Sequence, residues 1–391
     1  SDVDGALADL DRAVKAAPGD DAVWNEIGIL KSDRNAIVEA NAAHRRAIAL
    51  NPENAALHAN HARFLMDNDQ MAAAKAAIDA AEALDPTSYA VLAAKGRYPL
   101  RMGKTAEGEK VLQEAAAVNP TAGDALIGLA IANYQNGADA ETAQALDNAD
   151  RFDKDNPSIA LIRAGIAIDE FRADDAILNA REALRRRQAR GGYYSGYDTN
   201  RQVSSYLGVA LDNIGLTEWG QFYADRSYDP FVSTTYIDEA ATGGGTPFVG
   251  APLTGLDRSA SGGASLASEL QARLFAPLSV ASEEKRNSLE TRNFFEASLG
   301  GTLTDYGADT GWASDILLQG TSYTPVPVSY YLQGDIIRPE SARENDENDL
   351  LGGLFNIGIK PTLTDSLYLF GSRIRQETGY PGQLSNPAPF N

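Results

Sequence analysis

AHRRAIALNPENAALHANHARF (residues 43–64) returns one period later as AIDAAEALDPTSYAVLAAKGRY (residues 77–98). In both stretches a helical run ends at an Asx-Pro pair, Asn51-Pro52 and Asp85-Pro86, and a second helical run starts a few residues on. Working outward, Pro18, Pro52, Pro86 and Pro120 are 34 residues apart each time. Small residues keep the same period in three phases: Gly28, Ala62, Gly96 and Ala130; Ala40, Ala74 and Gly108; Ala13, Ala47, Ala81, Ala115 and Ala149. Proline stops a helix because it lacks an amide hydrogen and its ring clashes with the preceding turn. Small residues let two antiparallel helices approach closely. A period held this long is the mark of a solenoid, whose units bury their apolar faces against their neighbours.

The period resembles the tetratricopeptide repeat. Trp24, Ile27 and Gly28 match its W-x-x-L-G element, with Ala40, Ala47 and Pro52 following in phase. The resemblance covers residues 1–230 and implies an α-solenoid of antiparallel helix pairs wound into a right-handed superhelix. It also implies a protein-binding concave face lined by the first helix of each pair. Carried over by position, that groove comprises Asn25, Ile29 and Ser32, then Arg63 and Met66, then Arg97 and Leu100, then Asp124, Ile127, Ile131 and Tyr134. Arg63 and Arg97 lie one period apart and are expected either to stack as a site for a carboxylate-bearing or extended ligand, or to pair with neighbouring acids. Several departures stand out. Pro99 falls inside a first helix, which should kink or end early. A three-residue slip precedes Pro157, after which Ala176, Ala180 and Ala183 restore the phase. A degenerate unit closes the array at Pro230. Residues 4–18 supply only the second helix of a pair, so more protein is expected upstream.

Residues 231–291 read as a linker, Ser/Thr/Ala/Pro-rich with a Gly run at 243–245. A short amphipathic helix is expected at 265–275, where Leu266, Leu270 and Leu274 share a face. From about residue 292 the period becomes two. NFFEASLGGTL, WASDILLQGTS, VPVSYYLQGDII, LLGGLFNIGIK and SLYLFGSRIRQ are five successive strand candidates. One set carries Ile316, Leu332, Leu351, Phe355, Ile357, Tyr368 and Phe370. The other carries Asp315, Gln319, Gln333, Asp335, Asn356 and Lys360. A polar side of Gly, Ser, Asn, Gln and single charges, rather than Lys and Glu, points to a transmembrane barrel, with the first set toward lipid and the second toward a lumen. Loop lengths alternate long (304–311, 339–349) and short (322–327, 361–366). Five strands cannot close a barrel, so residues 292–391 are expected to be the first strands of a truncated one.

A formal net charge of −20 argues against nucleic acid and against general adhesion to anionic membranes. The absence of cysteine excludes disulfides, zinc-thiolate sites and cysteine nucleophiles. No catalytic motif is found, and no cofactor or metal is expected. His58 and His61 share a helix face without completing a ligand set. The Gly run at 243–245 lacks the lysine of a phosphate loop. Arg185, Arg186 and Arg187 could grip an anion, although such a run is more often a solvated helix end. The acidic loop 340–349 could hold calcium but reads better as merely solvated.

The resulting α + β multidomain architecture, an array followed by barrel strands, is similar to that of the exopolysaccharide-export porins. That resemblance implies a bacterial outer-membrane protein with a periplasmic scaffold that collects a protein partner or an extended polymer for secretion. The other readings are a barrel-anchored scaffold that transports nothing and a soluble adaptor ending in a β-sandwich.

Overall fold

The computed structural model describes residues 3–33, 36–189, five positions between 210 and 219, 292–305, 310–338 and 348–379. Its helices are α1 (Val3–Ala16), α2 (Asp21–Asp33), α3 (Ile37–Leu50), α4 (Ala55–Asp67), α5 (Met71–Leu84), α6 (Tyr89–Arg101), α7 (Thr105–Val118), α8 (Gly123–Gln135), α9 (Asp139–Phe152), α10 (Pro157–Asp169) and α11 (Ala173–Ala189). The starts of α4, α6, α8 and α10 are 34 residues apart, and so are those of α3, α5, α7, α9 and α11. The helices pair as α2–α3, α4–α5, α6–α7, α8–α9 and α10–α11. The last candidate unit and the 265–275 helix fall largely or wholly outside the described residues.

The contact positions explain the period. Ala47, Ala81, Ala115, Ala149 and Ala183 are all fully buried, as are Ala62, Ala130 and Ala164 on the facing helices. Where glycine takes that role the approach is tighter still. A Cβ on Gly96 would sit 2.7 Å from Leu112, and one on Gly108 would sit 2.9 Å from the Gly96 carbonyl. Larger residues fill the space between pairs: Met66, Met71 and Ile78 in one cluster, Leu100, Leu112, Ile127, Ile131 and Ile159 in the next.

Two expectations are corrected. The array does not slip before Pro157. That proline is the first residue of α10, where its missing amide hydrogen costs nothing, and Asn156 caps the helix by accepting from Ser158 N at 2.9 Å. Lys154 occupies the turn position at which the other repeats carry proline. Nor does Pro99 shorten its helix: α6 has 13 residues, as do α4 and α8. Pro99 is the third residue from the C-terminal end, so the helix forgoes only the one amide bond to the Lys95 carbonyl, close to its end.

The turn inside each pair is also periodic. Asp69, Gly103, Gly137 and Phe171, again 34 residues apart, all have positive φ, between 56° and 78°. This is the left-handed residue that ends a helix and frees its last carbonyls for the closing turn.

Strands β1 (Phe294–Asp305), β2 (Thr310–Ser322), β3 (Val328–Arg338), β4 (Asn348–Ile359) and β5 (Leu367–Thr378) form an antiparallel meander in the order β1-β2-β3-β4-β5. The sheet is open; β1 and β5 do not pair with each other. No helix among the described residues is long and apolar enough to cross a membrane.

Candidate binding groove and the two faces of the sheet

The groove forms where α2, α4, α6 and α8 lie side by side. Ile29, Ser32, Asn60, Arg63, Asp67, Ala93, Arg97 and Asp124 line it, with His44 and Phe64 beneath, around a cavity of about 80 Å³. Its two arginines form ion pairs. Arg63 reaches from α4 to Asp124 on α8 at 2.7 Å, and Arg97 on α6 meets Asp67 on α4 at 2.7 Å. The groove thus carries two positive and two negative charges tied across three repeats, and the alternative of pairing with nearby acids describes it. Asn60 Nδ2 donates to Asn25 Oδ1 at 3.2 Å on the same side.

The other positions carried over from the repeat pattern lie elsewhere. Met66, Ile127, Ile131 and Tyr134 are buried among the helices rather than lining the groove. Ile131 shares the phase of Arg63 and Arg97 but is enclosed with Ile159 and Ile162 of α10; Arg97 is itself buried and reaches the groove through its pair with Asp67. Tyr134 turns its hydroxyl to Asp169 at 2.7 Å. Position within a repeat therefore does not fix exposure once neighbouring pairs differ. Asn60, Asp67 and Ala93 were not among the sequence candidates. The acid one turn along from Arg63 was their only signal.

Beneath the groove, His44, His61 and Phe64 stack, with His44–His61 centroids 5.8 Å apart. Burial, then the neighbouring His61 and Arg63 charges, holds the His44 pKa down at about 3. Burial, Arg45 and His58 lower that of His61 to about 4. Both rings are neutral near pH 7. His61 Nε2 meets Asn41 Oδ1 at 2.9 Å, whereas His58 Nε2 meets the Pro52 carbonyl, so the two do not converge. Among the described residues no group of three or more His, Cys, Asp or Glu is placed to hold a metal.

Arg186, within the arginine run, is no solvated helix end. It is buried, bridging Asp150 at 2.5 Å and Glu182 at 2.8 Å, and it donates to the Asn156 carbonyl at 3.3 Å. It ties α11 to α9. The acidic loop lies almost wholly outside the described residues; at its end Asp349 meets Arg338 at 3.1 Å.

Register sorts the sheet into two faces. Pairing Ile316 with Gly334, Leu332 with Phe355 and Ile336 with Leu351 puts these apolar side chains on one side, which in β5 also carries Arg373 opposite Gly353 and Arg375 opposite Leu351. Asp315 opposite Asp335, and Tyr331 opposite Asn356, mark the other side, which Gln319, Gln333 and Lys360 share by alternation. One assignment changes. Tyr368 and Phe370 oppose Gly358 and Asn356 and therefore lie on the polar side. Residues 367–370 are apolar at every position, so alternation alone cannot orient them; Leu367 and Leu369 take the apolar face.

Exposure runs opposite to that of a water-soluble sheet. Leu299 and Leu303 are about 80% exposed, and Ile316, Leu351, Phe355 and Leu369 are also exposed. Gln319 and Ser329 are fully buried, and Asp335 and Asn356 nearly so. The polar groups satisfy one another. Gln319 donates to Glu296 at 3.1 Å, Gln333 to both Asp335 oxygens, and Tyr368 Oη to Asn356 Oδ1 at 2.6 Å.

No family model matches the chain, and no curated protein matches it. Solved structures similar to it include the Cut9–Hcn1 hetero-tetramer of the APC/C (14% identity, TM-score 0.46, covering 58% of this chain), a tetratricopeptide repeat protein from Parabacteroides merdae (14%, 0.39, covering 62% of this chain and 91% of that one) and PilF of Pseudomonas aeruginosa (18%, 0.37, covering 53% and 91%). This chain spans 43% of the Cut9 chain. The helical repeat itself is established by the 34-residue phase of the helices and turns.

Proposed function

We propose that this protein is an outer-membrane export porin, with the helical array as a non-enzymatic periplasmic scaffold for a protein or an extended polymer. The observation that carries the reading is the inverted sheet. Burying Gln, Asn and Asp while exposing Leu, Ile and Phe is unfavourable in water, since each Leu- or Phe-sized side chain left in water forgoes roughly 1.5–3 kcal/mol. It is favourable in a bilayer, where the outer surface must be apolar and a lumen can hydrate the polar groups. In this reading further strands close the sheet, because lipid cannot satisfy the free edges of β1 and β5. The groove supports the scaffold role: its charges cancel pairwise, which suits a partner that hydrogen-bonds along its length more than one defined by net charge. Expression of the protein with an export leader, followed by alkaline extraction of membranes, tests the reading. Retention in the membrane pellet and channel activity after reconstitution are expected. Recovery in the soluble fraction as a folded monomer would leave a soluble adaptor instead.

A further inference from the structure

The turn end of the sheet meets the array at one place, and the fit there is closer than a tether requires. Arg101 is almost completely buried at the end of α6. Its guanidinium donates to the Met66 carbonyl and to Asp69 Oδ1, each at 2.8 Å, and Tyr323, from the β2–β3 turn, covers it with the ring centroid at 4.7 Å. A buried cation costs several kcal/mol unless such partners surround it. Tyr323 is itself buried within the apolar cluster of Met66 and Met71, with Leu363 of the β4–β5 turn packed alongside. Asn293, just before β1, donates its amide to the Arg101 carbonyl at 3.1 Å and accepts from Tyr323 N at 2.9 Å. It therefore caps a helix-end carbonyl that would otherwise lack a partner within α6. Lys360, after β4, pairs with Asp69 at 3.3 Å.

These features belong to two adjacent repeats, α4–α5 and α6–α7. The residues one period after Asp69 and Arg101 are Gly103 and Gln135, which can form neither ion pair, and the Gln135 amide has no hydrogen-bond partner among the described residues. Gly103 lies beside the contact, where a Cβ would stand at ordinary van der Waals distance, 3.5 Å, from the Asn293 carbonyl.

We propose that the α4–α5 and α6–α7 turns are a specific seat for the turn end of the sheet, so that array and sheet act as one rigid unit rather than two bodies on the linker between α11 and β1. Arg97 and Arg101 are four residues apart on α6, about 6 Å along its axis. Asp69, which the seat ties to Lys360, lies two residues beyond Asp67 of the groove's Arg97–Asp67 pair.

The chain has no cysteine, so an engineered pair gives a clean readout. Met102 and Asn293, whose side chains are 3.7 Å apart, are changed to Met102→Cys and Asn293→Cys in the full chain and treated with a short bismaleimide. Rapid cross-linking within one chain is expected, much faster than for Met102→Cys with Thr378→Cys at the far end of the sheet. Adding Lys360→Glu should slow it at least about tenfold, the factor that 1.4 kcal/mol carries, while Lys360→Arg should not. Because Lys360 lies on the sheet side, helical content should remain unchanged. Tyr323→Ala should slow the reaction as well. A rate no faster than the distant pair, indifference to both Lys360→Glu and Tyr323→Ala, or cross-links only between chains would overturn the proposal. Neither lipid nor a groove ligand enters the experiment, so its outcome is independent of the transport reading.

Discussion

The array and the sheet hide opposite kinds of side chain. In the array, alanines at 34-residue intervals are buried completely and charged groups sit outside or in pairs. In the sheet, leucine and phenylalanine are exposed while glutamine, serine and asparagine are hidden. Each is a self-consistent solution, but for different surroundings. The array is built to be wetted around a dry seam. The sheet hides polar chains on one side and leaves apolar ones exposed on the other. The same residue type therefore carries opposite meaning in the two halves, and the environment can be inferred from which set is concealed.

Adjacent substitutions on β4 should break that contrast most sharply. Phe355→Arg places a cation on the apolar face, at a cost of roughly 2–4 kcal/mol near a bilayer midplane. It should abolish membrane assembly, measured by heat-modifiable migration on gels. Asn356→Arg on the polar face should assemble. Equal tolerance at the two positions would leave the sheet without a lipid side. In the array the corresponding intrusion is Ala47→Trp. Overpacking a tight core contact typically costs about 1–3 kcal/mol, and a site without free volume belongs at the upper end of that range. A lowered midpoint in urea is expected, and an unchanged one would mean that α2 and α3 do not meet there.

Acid should weaken the array. His44 and His61 are held neutral when folded, with pKa values lowered to about 3 and about 4 from 6.5. The unfolded chain therefore binds more protons below pH 6.5, and stability falls as pH drops from 6.5 toward the folded values. The loss is about 1.4 kcal/mol per histidine for each pH unit inside that window. Denaturation curves of the array at pH 7.5 and 5.5 should separate accordingly, and His44→Phe should narrow the gap. The smallest expected effect is a gain. Phe171 is exposed with φ 56°, in the left-handed region that Gly103 and Gly137 occupy at the same repeat position. Phe171→Gly should raise stability by about 1 kcal/mol, the usual cost of a side chain in that conformation. A loss would show that Phe171 makes a contact worth more than the strain.

The helices, their pairing and the strands were legible because each follows from a local period. Ala47 or Leu332 announces its face through its neighbours at fixed spacing. The groove was legible only in part. Arg63, Arg97 and Asp124 line one groove, but Ile131, in the phase of the two arginines, is enclosed by Ile159 and Ile162 of α10. No local signal reports how far the next pair of helices reaches. Tyr368 and Phe370 were misassigned for a related reason: an unbroken apolar run has no alternation, so only the pairing with β4 orients it. The Arg101–Asp69–Lys360 contact joins residues nearly 300 positions apart, and nothing in any of the three stretches points to the others.

The strict 34-residue spacing gives the array something like a reading frame. Removing residues 71–104 would delete one whole period and let α4 run into the next hairpin with every alanine still in step. The chain should remain a well-formed solenoid, one unit shorter. Yet glutamine would then stand where the arginine had been, and the sheet would find no matching address. Whole units before α4 or after α7 could be gained or lost without disturbing that address, so only the two repeats that carry it are fixed by the sheet.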